Sequence, residues 1–183
     1  MNLSEVSEPL IALCNDVIQA RELNENKDDD FTRRVYIRSL FTLIEGSTWL
    51  IKQALLKATC EACRKIELPA LDGLLGDSSS EIDQRGEIVE KKKFIPISNN
   101  VRFTCNQFNR LTKSNIVLDV QSQAWSYFLD SIKVRNRITH PKETADLAIT
   151  DDEFKKCKAV ESWYNAHMHE FLAVMYGRRI PGK

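Results

Sequence analysis

The stretch "DVQSQAWSYFLDSIKVRNRITHPK", Asp119 to Lys142, decides how this chain is read. Trp125, Phe128, Leu129 and Ile132 recur at the spacing of one face of an α-helix. That spacing predicts a helix starting near Asp119 and running into the basic segment. The next stripe positions, four residues apart, are Asn136 and His140. Each step of four advances about 40° around a helix, which keeps both near the core-facing side. Two polar side chains thus stand where leucines are expected. A buried polar group costs roughly 1–3 kcal/mol unless it finds a partner. Either something satisfies these two, or the place is not fully buried. Pro141 disfavours the helical conformation at the preceding residue, His140, and loosens the helix end. On a regular helix Arg135 and His140 diverge by about 140°, and the loosening allows the imidazole to swing toward the guanidinium. Lys133, Arg137 and Lys142 surround the pair with the densest local positive charge in the chain.

Outward from that helix, the chain reads as mostly helical. Leu10, Leu13, Val17 and Ile18 mark a first helix over about Pro9 to Leu23, ended by the polar run "NENKDDD". A second helix is expected from about Phe31 to Ile66, with Leu40, Phe41, Ile44, Thr48, Ile51 and Leu55 as its stripe and Pro69 beyond its end. At about 1.5 Å per residue it is on the order of 50 Å long, so a kink or break is expected. Residues 67–98 are the least regular part: "GDSSSE" reads as loop, and "EIVEKKKFIPI" as a charged stretch with a short hairpin or edge strand. A third helix is expected over about Asn100 to Lys113. The last helix has the clearest start, because Thr150 and Glu153 form a capping box with two aspartates in the first turn. Val160, Trp163, Tyr164, His167, Phe171 and Val174 continue it at helical spacing. The fold class is all-α: a bundle of four or five helices in one domain over residues 1–183, with an irregular insertion of about 30 residues between the second and third helices.

Composition narrows the class of function. The chain has 183 residues, 43% hydrophobic and 28% charged, which is enough apolar content for a real core. The formal net charge is zero, so no global field draws it to nucleic acid or an anionic membrane. Affinity for a polyanion has to come from a local patch. No run approaches the roughly 20 apolar residues of a membrane span. The N-terminal sequence shows no basic leader followed by an apolar block, and an odd number of cysteines, five, suits a reducing compartment. A cytoplasmic protein without membrane contact is expected. Cys60 and Cys63 form a C-x-x-C, half a zinc site at best, and read as two thiols one helical turn apart.

A cation beside an imidazole, with no carboxylate cage, matches cleavage of RNA by its own 2′-hydroxyl. A base takes the hydroxyl proton, and histidine is the side chain that titrates near neutrality. A fixed cation stabilises the charge developing on phosphate, and the planar fork of arginine suits phosphate oxygens. In this reading His140 is the base and Arg135 the phosphate-stabilising cation. Asn136 orients His140 or holds a phosphate oxygen, while Lys133, Arg137 and Lys142 contact the substrate. Neither metal nor cofactor is required.

The residues "RNRITH" resemble the R-N-x-x-x-H form of the R-x4-H signature of the HEPN superfamily, with Arg135, Asn136 and His140 at the three motif positions. The layout is similar as well: a helical bundle, a long early helix pair, the motif at the end of a late helix, and one closing helix. The resemblance covers six residues tightly and most of the chain loosely. It implies a metal-independent endoribonuclease leaving a 2′,3′-cyclic phosphate, and a homodimer with the two motifs facing each other in a composite site. It further implies a toxin of a toxin–antitoxin pair or a phage-defence effector, often acting on tRNA. The alternative is a non-catalytic HEPN-like helical module, a regulatory or antitoxin-like dimer. A third reading has the same cationic pocket hold a small phosphate ligand.

Glu45–Gly46 interrupts the second helix's stripe. Glycine costs about 1 kcal/mol there relative to alanine, which points to something packed closely. Glu45 stands either as an exposed stripe-edge residue or as a support that bonds His140 or pairs with Arg135. His167 and His169 read as packing and solvated residues. Lys91–Lys93 reads as a solvated face that can also touch an RNA backbone.

Overall fold

From Asp30 to Ala62 the chain holds no proline and a single glycine, and its apolar residues recur at helical spacing. In the computed structural model, which describes residues 4–62 and 75–177, this stretch is one helix of 33 residues. We label the helices α1 (Ser4–Asn26), α2 (Asp30–Ala62), α3 (Ile97–Thr112), α4 (Gln123–Thr139) and α5 (Asp151–Met175). A hairpin of β1 (Ser78–Ile82) and β2 (Ile88–Lys92) lies between α2 and α3, and a single 3-10 turn, Thr144–Leu147, precedes α5. The fold is an all-α bundle with one small two-stranded sheet.

α2 is the axis, packing against each of the other four helices among the described residues. Its expected stripe, Leu40, Phe41, Ile44, Thr48, Ile51 and Leu55, is buried throughout, joined by Tyr36 and Ile37. The expected break does not occur between Asp30 and Ala62. Neighbours on several sides bury a long helix that one partner would leave half exposed. At Gly46 α1 comes close: a Cβ there would lie 2.7 Å from Leu13 Cδ1. The C-x-x-C is not part of this picture, since Cys63 lies outside the described residues, as does the expected helix end at Ile66.

The turn between α1 and α2 is built by the polar run. Asn24 Nδ2 donates to Asp28 Oδ1 (3.0 Å) and Thr32 Oγ1 (3.1 Å), and Asp29 Oδ1 accepts from the Thr32 N–H at 2.9 Å. Leu10 and Val17 face the core, whereas Ile18 points outward and is exposed, a departure from the expected stripe. Ile18 sits one step, about 100°, past Val17 and so leaves the buried face.

Aromatic rings fill the centre. Phe41 stacks on Phe128 with centroids 6.2 Å apart, Phe108 meets Phe171 edge-on at 4.7 Å, and Trp163 touches both Trp125 and Phe128. Such pairs contribute about 0.5–1.5 kcal/mol beyond the area they bury. Two buried tyrosines are satisfied: Tyr36 donates to Glu161 Oε2 at 2.6 Å, and the Tyr164 and Ser47 hydroxyls lie 2.7 Å apart, whereas the buried Thr104 hydroxyl has no hydrogen-bond partner among the described residues. Thr150 and Glu153 form the expected capping box of α5.

Two boundaries moved. α3 begins at Ile97, with Pro96 as N-cap, rather than near Asn100. α4 begins at Gln123, where the Ser122 hydroxyl accepts from the Trp125 N–H, because Asp119 is spent on a turn with Gln121. Within the insertion, Ser78–Glu81 is strand rather than loop, pairing antiparallel with Val89–Lys92. Neither strand alternates apolar with polar residues, so no period-2 signal marks them. Cross-strand bonds hold them instead, such as Lys91 to Glu81 at 2.5 Å.

Candidate functional site

α4 turns a different face to the core from the one its stripe implies. The buried residues are Trp125, Phe128, Ser131, Val134 and Ile138. Leu129 is 38% exposed, and Asn136 and His140 are exposed. Ser131 is small enough to lie against α5, where Cys157 Sγ donates to its hydroxyl at 3.4 Å. The core side of the helix is therefore rotated from the Leu129–Ile132–Asn136–His140 line. Asn136 and His140 are polar because their place is open to solvent.

Arg135 lies between the two environments, its side chain 28% exposed. Its guanidinium donates to Glu45 Oε1 on α2 at 2.5 Å and to Asn136 Oδ1 at 3.1 Å. Of the two roles open to Glu45, the structure selects the ion pair with Arg135. The helix ends as Pro141 requires: Thr139 is its last residue, and His140 adopts φ −126° and ψ 59°, outside the helical region. Its backbone N–H still bonds the Asn136 carbonyl at 3.0 Å, while its imidazole takes part in no hydrogen bond or ion pair among the described residues.

A cleft of about 460 Å³ opens between α2, the chain entering α3, and α4. Arg135, Asn136 and Glu45 form one wall, Thr48 and Trp49 continue it along α2, and Asp77, Lys93, Phe94 and Asn100 close the far side. His140 is not among the described residues that line it. Within one chain the expected convergence of Arg135 and His140 on a single cleft does not occur: the loosened helix end leaves the imidazole in solvent.

The cations expected to contact substrate do not gather round Arg135 either. Lys133 pairs with Asp130 at 2.9 Å and Arg137 with Glu153 at 2.8 Å, and both line a second groove facing α5. Lys142 is exposed in the loop, its backbone N–H bonded to Asp146 Oδ2 at 2.7 Å. That bond is the first cause holding the Asp146 carboxyl below the ordinary carboxylate range. Lys133 and Lys156 do the same to Asp130. The positive stretch of sequence is thus largely matched by acids in space, and its residues fall on different faces.

Three α2 arginines, absent from the sequence reading, hold the segment around His140. Arg38 donates to the Ile138 carbonyl at 2.7 Å, Arg34 to the Leu147 carbonyl at 2.6 Å, and Arg33 to the Ile149 carbonyl at 3.0 Å. Arginines in the first turns of a helix run against its dipole, a sequence signal that they serve a partner elsewhere. The Ile138 carbonyl in the last turn of α4 is such a partner, since that turn leaves its carbonyls unpaired, and Leu147 and Ile149 offer theirs from the segment before α5. Lys52 was missed as well. Its ammonium is fully buried and bonds Asp77 and, at 3.0 Å, Asn100, which ties the hairpin and α3 to α2.

Among the described residues no group of three or more His, Cys, Asp or Glu side chains could hold a metal ion, and no helix is long and apolar enough to cross a membrane. His167 packs edge-on against Trp163 at 5.0 Å and His169 is exposed, so neither joins the site. Compared with family models, with curated proteins and with solved structures, the chain matches none.

Proposed function

We propose that this protein is a metal-independent endoribonuclease of the HEPN type, with Arg135 and His140 as its catalytic pair and Asn136 in support. The observation that carries the reading is the placement of the motif. A guanidinium fixed by Glu45 and Asn136 opens on a cleft, and one turn further an unpartnered imidazole stands at a helix end held by Arg38. His140 accepts the proton of an RNA 2′-hydroxyl, and the oxygen attacks the adjacent phosphorus. The bond to the 5′-oxygen breaks as that oxygen takes a proton from water, leaving a 2′,3′-cyclic phosphate and a 5′-hydroxyl. Arg135 donates to the non-bridging oxygens as charge builds on them. Because His140 stands outside its own chain's cleft, the reaction calls for a homodimer in which the imidazole of one copy serves the guanidinium of the other. Leu129 and Asn136, both exposed on α4, belong to the surface such a partner would meet. A cytoplasmic toxin or phage-defence effector acting on RNA such as tRNA, restrained by an antitoxin, fits this activity.

The test is purified protein with mixed RNA, with and without EDTA. EDTA-resistant cleavage, abolished by both His140→Ala and Arg135→Ala, is the expected outcome; activity surviving either substitution removes the assignment. One observation favours a second reading, a non-catalytic helical binding module. Glu45 already answers the Arg135 charge, as in a structural ion pair. In that case the two substitutions shift melting or dimerisation and no RNA is cut.

A further inference from the structure

We propose that the cleft is a nucleobase subsite, accepting one unstacked nucleotide of single-stranded RNA with its base against Trp49 and Phe94 and its phosphate on Arg135 and Lys93. This rests on the ribonuclease reading for the nature of the polymer; the subsite itself is argued from the cleft.

Two large aromatic side chains line it from separate elements, Trp49 from α2 and Phe94 from the segment after β2. Trp49 is 41% exposed and Phe94 90% exposed, so neither ring is spent on the core. The Lys52 ammonium sits 5.7 Å from the Trp49 ring centroid and helps hold the indole in place. The cleft's volume of about 460 Å³ falls within the range of sites that enclose a small organic ligand. Every base presents a π face, so aromatic rings bind bases without demanding a sequence.

Polar groups around the rings suit a nucleotide as well. Lys93 takes part in no side-chain ion pair or hydrogen bond among the described residues, which leaves its ammonium for a phosphate. Asn136 and Asn100 spend their Oδ1 atoms on Arg135 and Lys52, and the Nδ2 donors of both amides, without a partner among the described residues, can face base oxygens or ring nitrogens. The Glu45–Arg135 pair lies at the rim, where an incoming phosphate can compete with the carboxylate. In a duplex the π faces are stacked on one another and out of reach. The cleft therefore selects unpaired RNA, and Lys93 and Phe94, which directly follow the hairpin, act as part of the substrate site.

The experiment uses full-length His140→Ala protein, in which cleavage is silenced and the cleft keeps all its described lining residues. Anisotropy is measured with a labelled unstructured RNA octamer of mixed sequence, with the same strand annealed to its complement, and with AMP as competitor. The duplex is expected to bind at least about tenfold more weakly, and Trp49→Ala or Phe94→Ala to weaken the single strand about tenfold each. Trp49→Phe should retain most of the affinity, and the exposed Phe94 permits its replacement without loss of melting temperature. Equal binding of strand and duplex, unchanged binding in both alanine variants, or AMP as tight as the octamer would overturn the proposal. The two readings fail separately. Wild-type cleavage that is lost in His140→Ala but indifferent to Trp49→Ala and Phe94→Ala removes the subsite alone. Strand binding that depends on Trp49 in a protein that cuts no RNA removes the nuclease alone.

Discussion

Lys52 and Arg135 each bring a positive charge toward the same cleft, and they are held on opposite terms. The Lys52 side chain is fully buried, and its ammonium is committed to Asp77 and Asn100. Arg135 stands at the rim, 28% exposed, opposite a Glu45 carboxylate that is 43% exposed. A buried charge cannot release its partner without standing unpaired in a low-dielectric interior. A rim charge loses little, because water takes over when the partner leaves. The first pair therefore fastens the hairpin and α3 to α2, and the second is free to exchange a carboxylate for a phosphate. Proximity to a cleft does not make a cation a binding group; the depth of its own partner decides.

The largest expected effect breaks the buried side of this contrast. Asp77→Ala should destabilise the protein by about 3–5 kcal/mol in urea denaturation, since it leaves the Lys52 ammonium with Asn100 alone. Replacing Lys52 by Met together with Asp77→Ala should recover much of that loss. If Asp77→Ala costs no more than a surface change, Lys52 is hydrated and the distinction disappears.

A smaller effect is expected at the rim. Glu45→Ala should shift stability by less than about 1 kcal/mol. In the His140→Ala background it should tighten single-stranded RNA binding, because the guanidinium no longer has to leave a carboxylate. Weaker binding would mean that Glu45 positions Arg135 rather than competing for it.

The smallest effect belongs to a surface pair, Lys27 and Asp29. A side-chain bond from Lys27, then the Thr32 N–H, lowers the Asp29 carboxyl to about 2. Its folded-state value is below its unfolded one, so its stabilisation is present above about pH 4 and is lost as pH falls toward about 2. Melting temperature should decline across that window, and Asp29→Ala should flatten the decline slightly. An unchanged acid limb would show that the α1–α2 turn does not depend on this carboxylate.

The parts of the fold that the sequence made legible are those held by local chemistry. The α2 stripe, the Thr150–Glu153 capping box, the polar turn after α1 and the helix end before Pro141 all follow from residues within a turn or two of one another, while Gly46 signalled a close approach without naming Leu13 of α1 as its neighbour. The strands at 78–82 and 88–92 were hard to see because both are solvated and carry no alternation. The candidate site was legible only in part. The motif positions and the Glu45 partner could be named, yet Leu129 and Ser131 exchange the roles that hydrophobicity assigns them. Trp49, Phe94 and Lys52 carried no signal that set them apart, because each draws its meaning from groups tens of residues away.

By itself the amino-acid sequence determined an all-α chain, its longest helix, the capping box that starts its last helix, and a basic helix end closed by Pro141. Tertiary structure decided which face of α4 the core takes, and with it that Arg135 and Asn136 open on a cleft while His140 stands in solvent outside it. The reason is physical: periodicity fixes the angle between side chains on one helix, but the rotation of that helix against its neighbours is set by what packs there. Ser131 fits against Cys157, and the Trp125, Phe128, Val134 and Ile138 side chains follow it inward.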